Sequence, residues 1–360
     1  MLVKNIAKIN PKPTSHYIDY INYIDTSSVN DGELSTVTYL DSNFPSRAQR
    51  EVFENDILIS SVRPRLKHNY FVSCKEPHLI ASTGFIQVRV NSNLYLPQYV
   101  YYYLTSEKQV ILYDTIANSS QTTFPTFNKD VIESLEIPTI SIDEQRHIVN
   151  TIGSVDDLIE KYQEILSKIQ SFVVRLFESY ENEVSSSIAD IFELFSGGIF
   201  KSKDYVPFSK NKLITIKNID DDGFNTTNVS YLSDDKIDTK YLLSIGDLIL
   251  TMTGNIGRVG VVSEENCYLN QRLLKIKCES KSYAFAYFLK HQQEIITLGK
   301  GTAQANLSLE DLRKCYVYNS EEEIKTFTKY DYLFEMYVNI QTKINALVSH
   351  KQLLLKKFFE

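Results

Sequence analysis

The sequence predicts an α+β fold: two similar domains separated by two long helices that form an antiparallel coiled coil, a pseudo-two-fold tandem repeat. Three observations predict it. One domain-sized pattern occurs twice. A proline-free segment with a heptad seam follows the first copy. A second segment with a comparable seam follows the second copy.

The repeat is plainest in two stretches. "NDILISSVRPRLKHNYFV" (Asn55 to Val72) and "GDLILTMTGNIGRVGVV" (Gly246 to Val262) share one plan. Each has an acid (Asp56, Asp247), an apolar run, hydroxyl residues, a broken basic segment and a second apolar run. A polar tip between strand-like runs comes next, "ASTGFIQVRV" (Ala81 to Val90) against "LNQRLLKIKC" (Leu269 to Cys278). "YVYYYLTSEKQVILYD" (Tyr99 to Asp114) matches "AFAYFLKHQQEIITLG" (Ala284 to Gly299) as an amphipathic helix. "NSSQTTFPTFNKDVIESLEIP" (Asn118 to Pro138) matches "GTAQANLSLEDLRKCYVYN" (Gly301 to Asn319). A period of roughly 180 residues is too long for a solenoid and reads as duplication of a whole domain plus a helix.

In the first helical segment apolar residues fall at Ile152, Val155, Ile159, Tyr162, Leu166, Ile169, Val173, Leu176 and Tyr180, in steps of three and four. That is a heptad seam, which Leu158, Ile165 and Phe172 widen. The second segment repeats the pattern with Leu333, Tyr337, Ile340, Ile344, Leu347, Leu354 and Phe358, interrupted by Lys351. Stripes of this kind bury themselves, and each other is the simplest partner. The expected boundaries are a first domain over 1–142, a helix over 143–183, a second domain over 184–320 and a helix over 321–360. A helix from Ile148 to Glu181 is roughly 50 Å long.

Composition bounds the function. The chain has 360 residues, 43% hydrophobic and 23% charged, as in ordinary globular proteins. No signal-like start and no run of membrane-span length is found, so the expected location is cytoplasmic. None of the four cysteines forms a C-x-x-C pair, which argues against zinc. The net charge of -7 requires that any DNA-binding basic residues be clustered or that a partner supply positive field.

Several chemistries are missing. No Walker-type loop occurs. The glycines of "TGNIGRVG" are followed by strand-like residues rather than a helix, so they read as a turn and not a phosphate cradle. The six histidines are scattered. Two E-x-K triplets, Glu279-Ser280-Lys281 and Glu323-Ile324-Lys325, are the only nuclease-like signal, and neither is repeated in the other copy. No catalytic residue, metal ligand or cofactor of its own is expected.

The loops differ between copies. Copy one offers Arg47, Arg50, Arg63, Arg65 and Lys67, with Ser120, Gln121 and Thr122. Copy two offers Lys217, Asn218, Thr253, Asn255, Arg258, Asn270, Gln271 and Arg272, with Lys300, Thr302 and Gln304. These side chains hold phosphates and read base edges, although each taken singly reads first as a solvated loop residue. Two equal scaffolds with unequal tips suggest recognition of two different things. The rival readings are a coiled-coil scaffold with two protein-binding domains and a metal-dependent nuclease.

The chain resembles the DNA-specificity subunit of type I restriction-modification systems. The resemblance is carried by "YIDTSSVNDGEL" (Tyr23 to Leu34), the Phe44 to Val72 and Asn118 to Pro138 stretches and "DEQRHI" (Asp143 to Ile148). In copy two it is carried by "IFELFSGGIFKSK" (Ile191 to Lys203), "ITIKNIDDDG" (Ile214 to Gly223), the Gly246 to Val262 stretch and "GTAQANLSLEDL" (Gly301 to Leu312). "YNSEEEIKTF" (Tyr318 to Phe327) stands where the family has a "P-L-P-x-x-E-Q" helix entry. The resemblance implies two target-recognition domains, each reading half of a bipartite, asymmetric site in double-stranded DNA. It implies helices that set the spacing and dock two methyltransferase subunits, which translocase/nuclease subunits then join. It places S-adenosylmethionine, ATP and Mg in those partners, and base flipping beside the recognition domains.

Overall fold

The computed structural model describes the chain except residues 12–13, 15–18, 31, 74, 120–124, 181–184, 221–222, 227–228, 300–305 and 319–320. The chain divides into two compact units, Met1–Asp157 with Ser349–Glu360, and Leu158–Val348.

The first unit contains β1 (Ala7–Ile9), β2 (Ile21–Ile24), β3 (Thr38–Leu40), β4 (Ala48–Glu51), β5 (Ile57–Ser60), β6 (Asn69–Phe71), β7 (Leu79–Ser82) and β8 (Phe85–Val90). They form two four-stranded sheets. One is antiparallel in the order β1-β8-β5-β6; the other runs β3-β2-β7-β4 with β2 and β7 parallel. Side chains alternate across a strand, and β5 shows the result. Ile57 and Ile59 join the cluster built on the tyrosine-rich helix α1 (Pro97–Leu104), whereas Leu58 joins the cluster with Ile24, Val72 and Phe85. Burial on both faces explains why this strand is continuously apolar; each such side chain contributes about 1.5–3 kcal/mol.

The second unit repeats the plan with β9 (Glu193–Ser196), β10 (Tyr205–Val206), β11 (Asn211–Ile214), β12 (Ser230–Leu232), β13 (Leu242–Leu243), β14 (Leu248–Thr251), β15 (Val259–Val261), β16 (Cys267–Leu269) and β17 (Leu273–Lys277). Its antiparallel sheet has the same order, β9-β17-β14-β15. Its mixed sheet runs β10-β12-β11-β16-β13, the first unit's arrangement with β10 added at one edge. The parallel pair recurs as β11 and β16. Register recurs too, with Ser60 opposite Phe85 and Thr251 opposite Leu273.

The expected amphipathic helix over 99–114 is two helices, α1 and α2 (Glu107–Ser119). Ser106, fully buried, marks the break: its hydroxyl donates to the Tyr103 carbonyl, and its own carbonyl accepts from Gln109 and Val110. The matching stretch of copy two likewise breaks after α4 (Lys281–Lys290), and the long helix between the copies is α3 (Ile142–Glu178).

Helix α3 starts on a box in which the Ser141 hydroxyl and amide donate to the Glu144 carboxylate. The segment over 321–360 is not one helix but a short helix (Glu321–Phe327), a 3-10 turn (Thr328–Tyr330) and α5 (Asp331–Phe359). The pairing of α3 and α5 is antiparallel. In the first unit Asp156 meets Lys351 at 2.7 Å. In the second, the Lys343 ammonium sits 5.7 Å above the Tyr162 ring and Gln170 donates to the Tyr337 hydroxyl at 3.2 Å. Lys351, which interrupts the seam in sequence, is therefore answered by a carboxylate. The seam differs from expectation in detail. Phe177, Phe334 and Phe359 are buried where Leu176, Leu333 and Phe358 are half-exposed, and Leu158, Ile165 and Phe172 are exposed rather than part of the seam. They repeat every seven residues one position before Ile159, Leu166 and Val173, which turns them about 100° from the buried stripe.

Candidate nucleic-acid interface

In the first unit three loops and a following segment meet at one junction. The Thr83 amide donates to the Arg47 carbonyl at 2.8 Å. The Ser61 amide and hydroxyl both donate to the Gly84 carbonyl, at 2.9 and 2.8 Å. The Phe127 amide donates to the Ser61 carbonyl, and the Arg63 amide to the Pro125 carbonyl. A β-carbon on Gly84 would lie 2.9 Å from the Arg47 guanidinium, so glycine makes room for that side chain. Arg47 and Arg63 are exposed here.

Beyond Arg63 the chain makes a 3-10 turn, Pro64–Leu66, flanked by left-handed Arg63 (φ 48°) and Lys67 (φ 52°). Such conformations are uncommon outside glycine and asparagine. The turn is tied to α2: Arg65 Nε meets Asp114 at 2.5 Å and Lys67 meets Glu107 at 3.1 Å. The hydrogen bond to Asp114 raises the Arg65 pKa further. Arg50 lies half-buried on β4, its Nε buried and without a hydrogen-bond partner among the described residues, and burial lowers its pKa. Arg47 and Arg63 are thus gathered at the junction. Arg65 and Lys67 brace the turn beside it, and Arg50 belongs to the sheet. Ser120, Gln121 and Thr122 lie outside the described residues.

The second unit builds the junction again. The Met252 amide donates to the Arg272 carbonyl, the Leu307 amide to the Met252 carbonyl and the Gln271 amide to the Gly198 carbonyl. Val62 bridges to Thr126 in the first unit, and Thr253 bridges to Asn306 in the second. Thr253 also donates its hydroxyl to the Asn306 side chain at 2.6 Å. The stretch "TMTGNIGR" is a turn: Thr251 Oγ1 donates to the Asn255 carbonyl and accepts from the Arg258 amide, with Gly254 and Gly257 at φ 74° and 81°. Asn255, Gln271 and Arg272 are exposed and Arg258 half-exposed. Lys217 is exposed on a 3-10 turn, Ile216–Asn218, which follows Ile214, the acceptor of the Asn270 amide.

Two expected contacts are corrected. Asn218 is fully buried; its Oδ1 accepts from the Thr215 amide and hydroxyl, which makes it a cap rather than a base reader. Asn270 is 7% exposed and its side chain accepts from the Arg272 amide, so it shapes the turn that presents Gln271 and Arg272. Lys300, Thr302 and Gln304 lie outside the described residues. Sequence reading missed Ser61 and Gly84, which bond the first junction together, and Gly197 and Gly198, which do so in the second. The adjacent glycines in "FSGGIF" were the available signal. Among the described residues no cluster of three or more His, Cys, Asp or Glu could hold a metal, and no helix is long and apolar enough to cross a membrane.

One scaffold built twice with unlike polar tips defines a tandem-repeat protein. Residues 3–171 and 180–319 each match the family model described as "Type I restriction modification DNA specificity domain". The chain belongs to that family. It is 26% identical over 172 residues to the specificity subunit of the type I restriction enzyme HindI of Haemophilus influenzae, which is 46% of this chain and 38% of that protein. The chain thus matches less than two fifths of that curated relative's length. The crystal structure of a type I restriction-modification S subunit from M. genitalium has the same fold, with a TM-score of 0.51, 15% identity and coverage of 100% of this chain and 95% of that one. The HsdS subunit from Thermoanaerobacter tengcongensis is similar at a TM-score of 0.43 and 16% identity, over 100% and 95% of the two chains.

Proposed function

We propose that this chain is the DNA-reading, non-catalytic subunit of a type I restriction-modification complex, each domain recognising one half of a split, asymmetric site. The observation that carries this reading is the junction built twice. Its scaffold is common to both domains, while its exposed side chains differ: Arg47 and Arg63 in the first, Lys217, Asn255, Gln271 and Arg272 in the second. Arginine and lysine neutralise phosphates and fix register; Gln, Asn and Arg match the donor and acceptor pattern of base edges. Equal scaffolds give equal docking, and unequal tips give unequal half-sites.

Helices α3 and α5 set the spacing and offer docking surface to two methyltransferase subunits, with translocase/nuclease subunits joining them. S-adenosylmethionine, ATP and Mg belong to those partners, in the cytoplasm. With a net charge of -7, the chain depends on partners for part of the positive field around the duplex.

The test is co-expression with candidate methyltransferase subunits, followed by single-molecule methylome sequencing of the host DNA. A single new split motif carrying methyladenine supports the proposal and reveals the target. A stable complex that leaves the methylome unchanged favours a protein-binding scaffold instead.

A further inference from the structure

Ile199 stands 77% exposed beside the second junction. An isolated exposed isoleucine is ordinary; what sets this one apart is how its backbone is fixed. Gly198 bridges to Asn270, donates its amide to the Leu269 carbonyl and accepts from the Gln271 amide at 2.8 Å. A β-carbon on Gly197 would lie 2.2 Å from the Asn270 carbonyl oxygen, and one on Gly198 would lie 2.7 Å from the Tyr241 ring. Only glycines allow this approach. Phe200, on the other side, packs edge-on against Tyr241 at 6.1 Å and, partly buried, rests against a core cluster. Ile199 is therefore clamped from both sides and held out in solvent, on backbone that adjoins the exposed Gln271 and Arg272.

The groups around it are mixed in charge. Ile199 and Phe200 line an open cavity of about 400 Å³ together with Asp204, Asp238, Lys236 and Tyr241. Lys236 is paired with Asp235 at 3.1 Å, and the Lys240 ammonium stands 5.6 Å over the Tyr241 ring, so this rim carries both signs of charge. In the major groove glutamine pairs with adenine, and the only apolar group there is the thymine methyl.

Building on the DNA-reading function proposed above, we infer that Ile199 is a specificity-determining residue that packs against the 5-methyl group of a thymine in the half-site read by the second domain, beside the contacts of Gln271 and Arg272. Burying one methyl group corresponds to about fourfold in affinity.

The test uses the full chain in complex with its methyltransferase subunits and duplexes carrying the methylome motif. Each thymine of the motif is replaced in turn by uracil, which removes only the methyl group. The expected result is that one replacement weakens binding about fourfold for the wild-type complex and not at all for Ile199→Ala. A motif without thymine overturns the inference, as do uracil replacements that affect both complexes equally or neither, while the DNA-reading function stands. A wild-type complex that selects no split motif overturns that function and the inference with it. Because uracil leaves the protein untouched, the wild-type effect does not depend on how the variant folds, and the comparison counts only for an Ile199→Ala complex that still selects the motif.

Discussion

Asp56, buried just before β5, and Arg89 on β8, whose side chain is 30% exposed, form an ion pair, Nη2 to Oδ2 at 2.7 Å, beside the strand pair at the centre of the first antiparallel sheet. Gln87 and the Phe53 amide also donate to the Asp56 carboxylate, whose side chain is 2% exposed. In the second domain Asp247 accepts from the Ser244 amide in the same way, but its cation is Lys275, at the position equivalent to Gln87 rather than Arg89. Removing one partner leaves the other charge uncompensated. Asp56→Ala is therefore expected to lower unfolding free energy by about 3 kcal/mol. Urea denaturation checks this, and a loss below about 1 kcal/mol would show that water replaces the carboxylate.

The arginines of the first junction are expected to separate by the salt dependence of DNA binding. Arg47→Ala and Arg63→Ala, if each removes a phosphate contact, each reduce the slope of log K against log salt by about 0.9. Arg65→Ala removes a tie to the mostly buried Asp114 rather than a phosphate contact, and leaves the slope unchanged. Affinity titrations of the assembled complex at several salt concentrations decide it; equal slopes for all three variants would refute the division.

Asp25 gives the first domain an acid-sensitive element. Burial opposes its charge, but the Ser27 amide and the hydroxyls of Tyr23, Thr26 and Ser27 outweigh this and hold its carboxyl below the ordinary range. A depressed folded-state pKa stabilises the fold above the unfolded value of about 3.9, and that stabilisation is lost as pH falls through the lower folded value. The Asp25→Asn variant should thus fall less steeply than wild type below about pH 4. Urea midpoints measured between pH 2.5 and 7 (roughly the span in which carboxylates titrate) would show it, and parallel curves would assign the acid limb to other groups.

The register of the paired helices suggests where to lengthen them. Asp156 faces Lys351 and Tyr162 faces Lys343. One heptad inserted after Ile159 together with one after Leu347 preserves both pairings and adds about 10 Å. The expected outcome is a longer spacer, by about three base pairs, between unchanged half-sites. A methylome motif that keeps its old spacing would show that the helices do not set it.

The repeat was legible because each copy keeps the features that its strands require. An acid, a strand buried on both faces and a hydroxyl-bearing exit stand in order at Asp56 to Ser61 and at Asp247 to Thr253. The seam was legible because burial follows a 3.5-residue period, and it went wrong at Leu158, Ile165 and Phe172, where composition alone cannot say which side of the helix has a neighbour. The candidate interface was less legible. Asn218 looks like a base reader by residue type, but caps a turn through contacts three residues away. Arg65 has the right chemistry and the right loop, yet its carboxylate partner lies 49 residues along the chain. Ile199 drew no notice because an apolar residue near two glycines reads as framework until its exposure is known.

The end of α5 also bears on how the chain is made. Phe359 packs against Tyr99 and Tyr103, at 5.4 and 6.1 Å between ring centroids, and the Glu360 carboxylate accepts from the Lys108 amide, 252 residues earlier in the sequence. At about 5–20 residues per second, a ribosome needs roughly 13 to 50 s to cover that distance. Throughout that interval the first domain lacks the ring that packs against Tyr99 and Tyr103, so the nascent chain presents that part of its tyrosine-rich helix to chaperones and to other nascent chains.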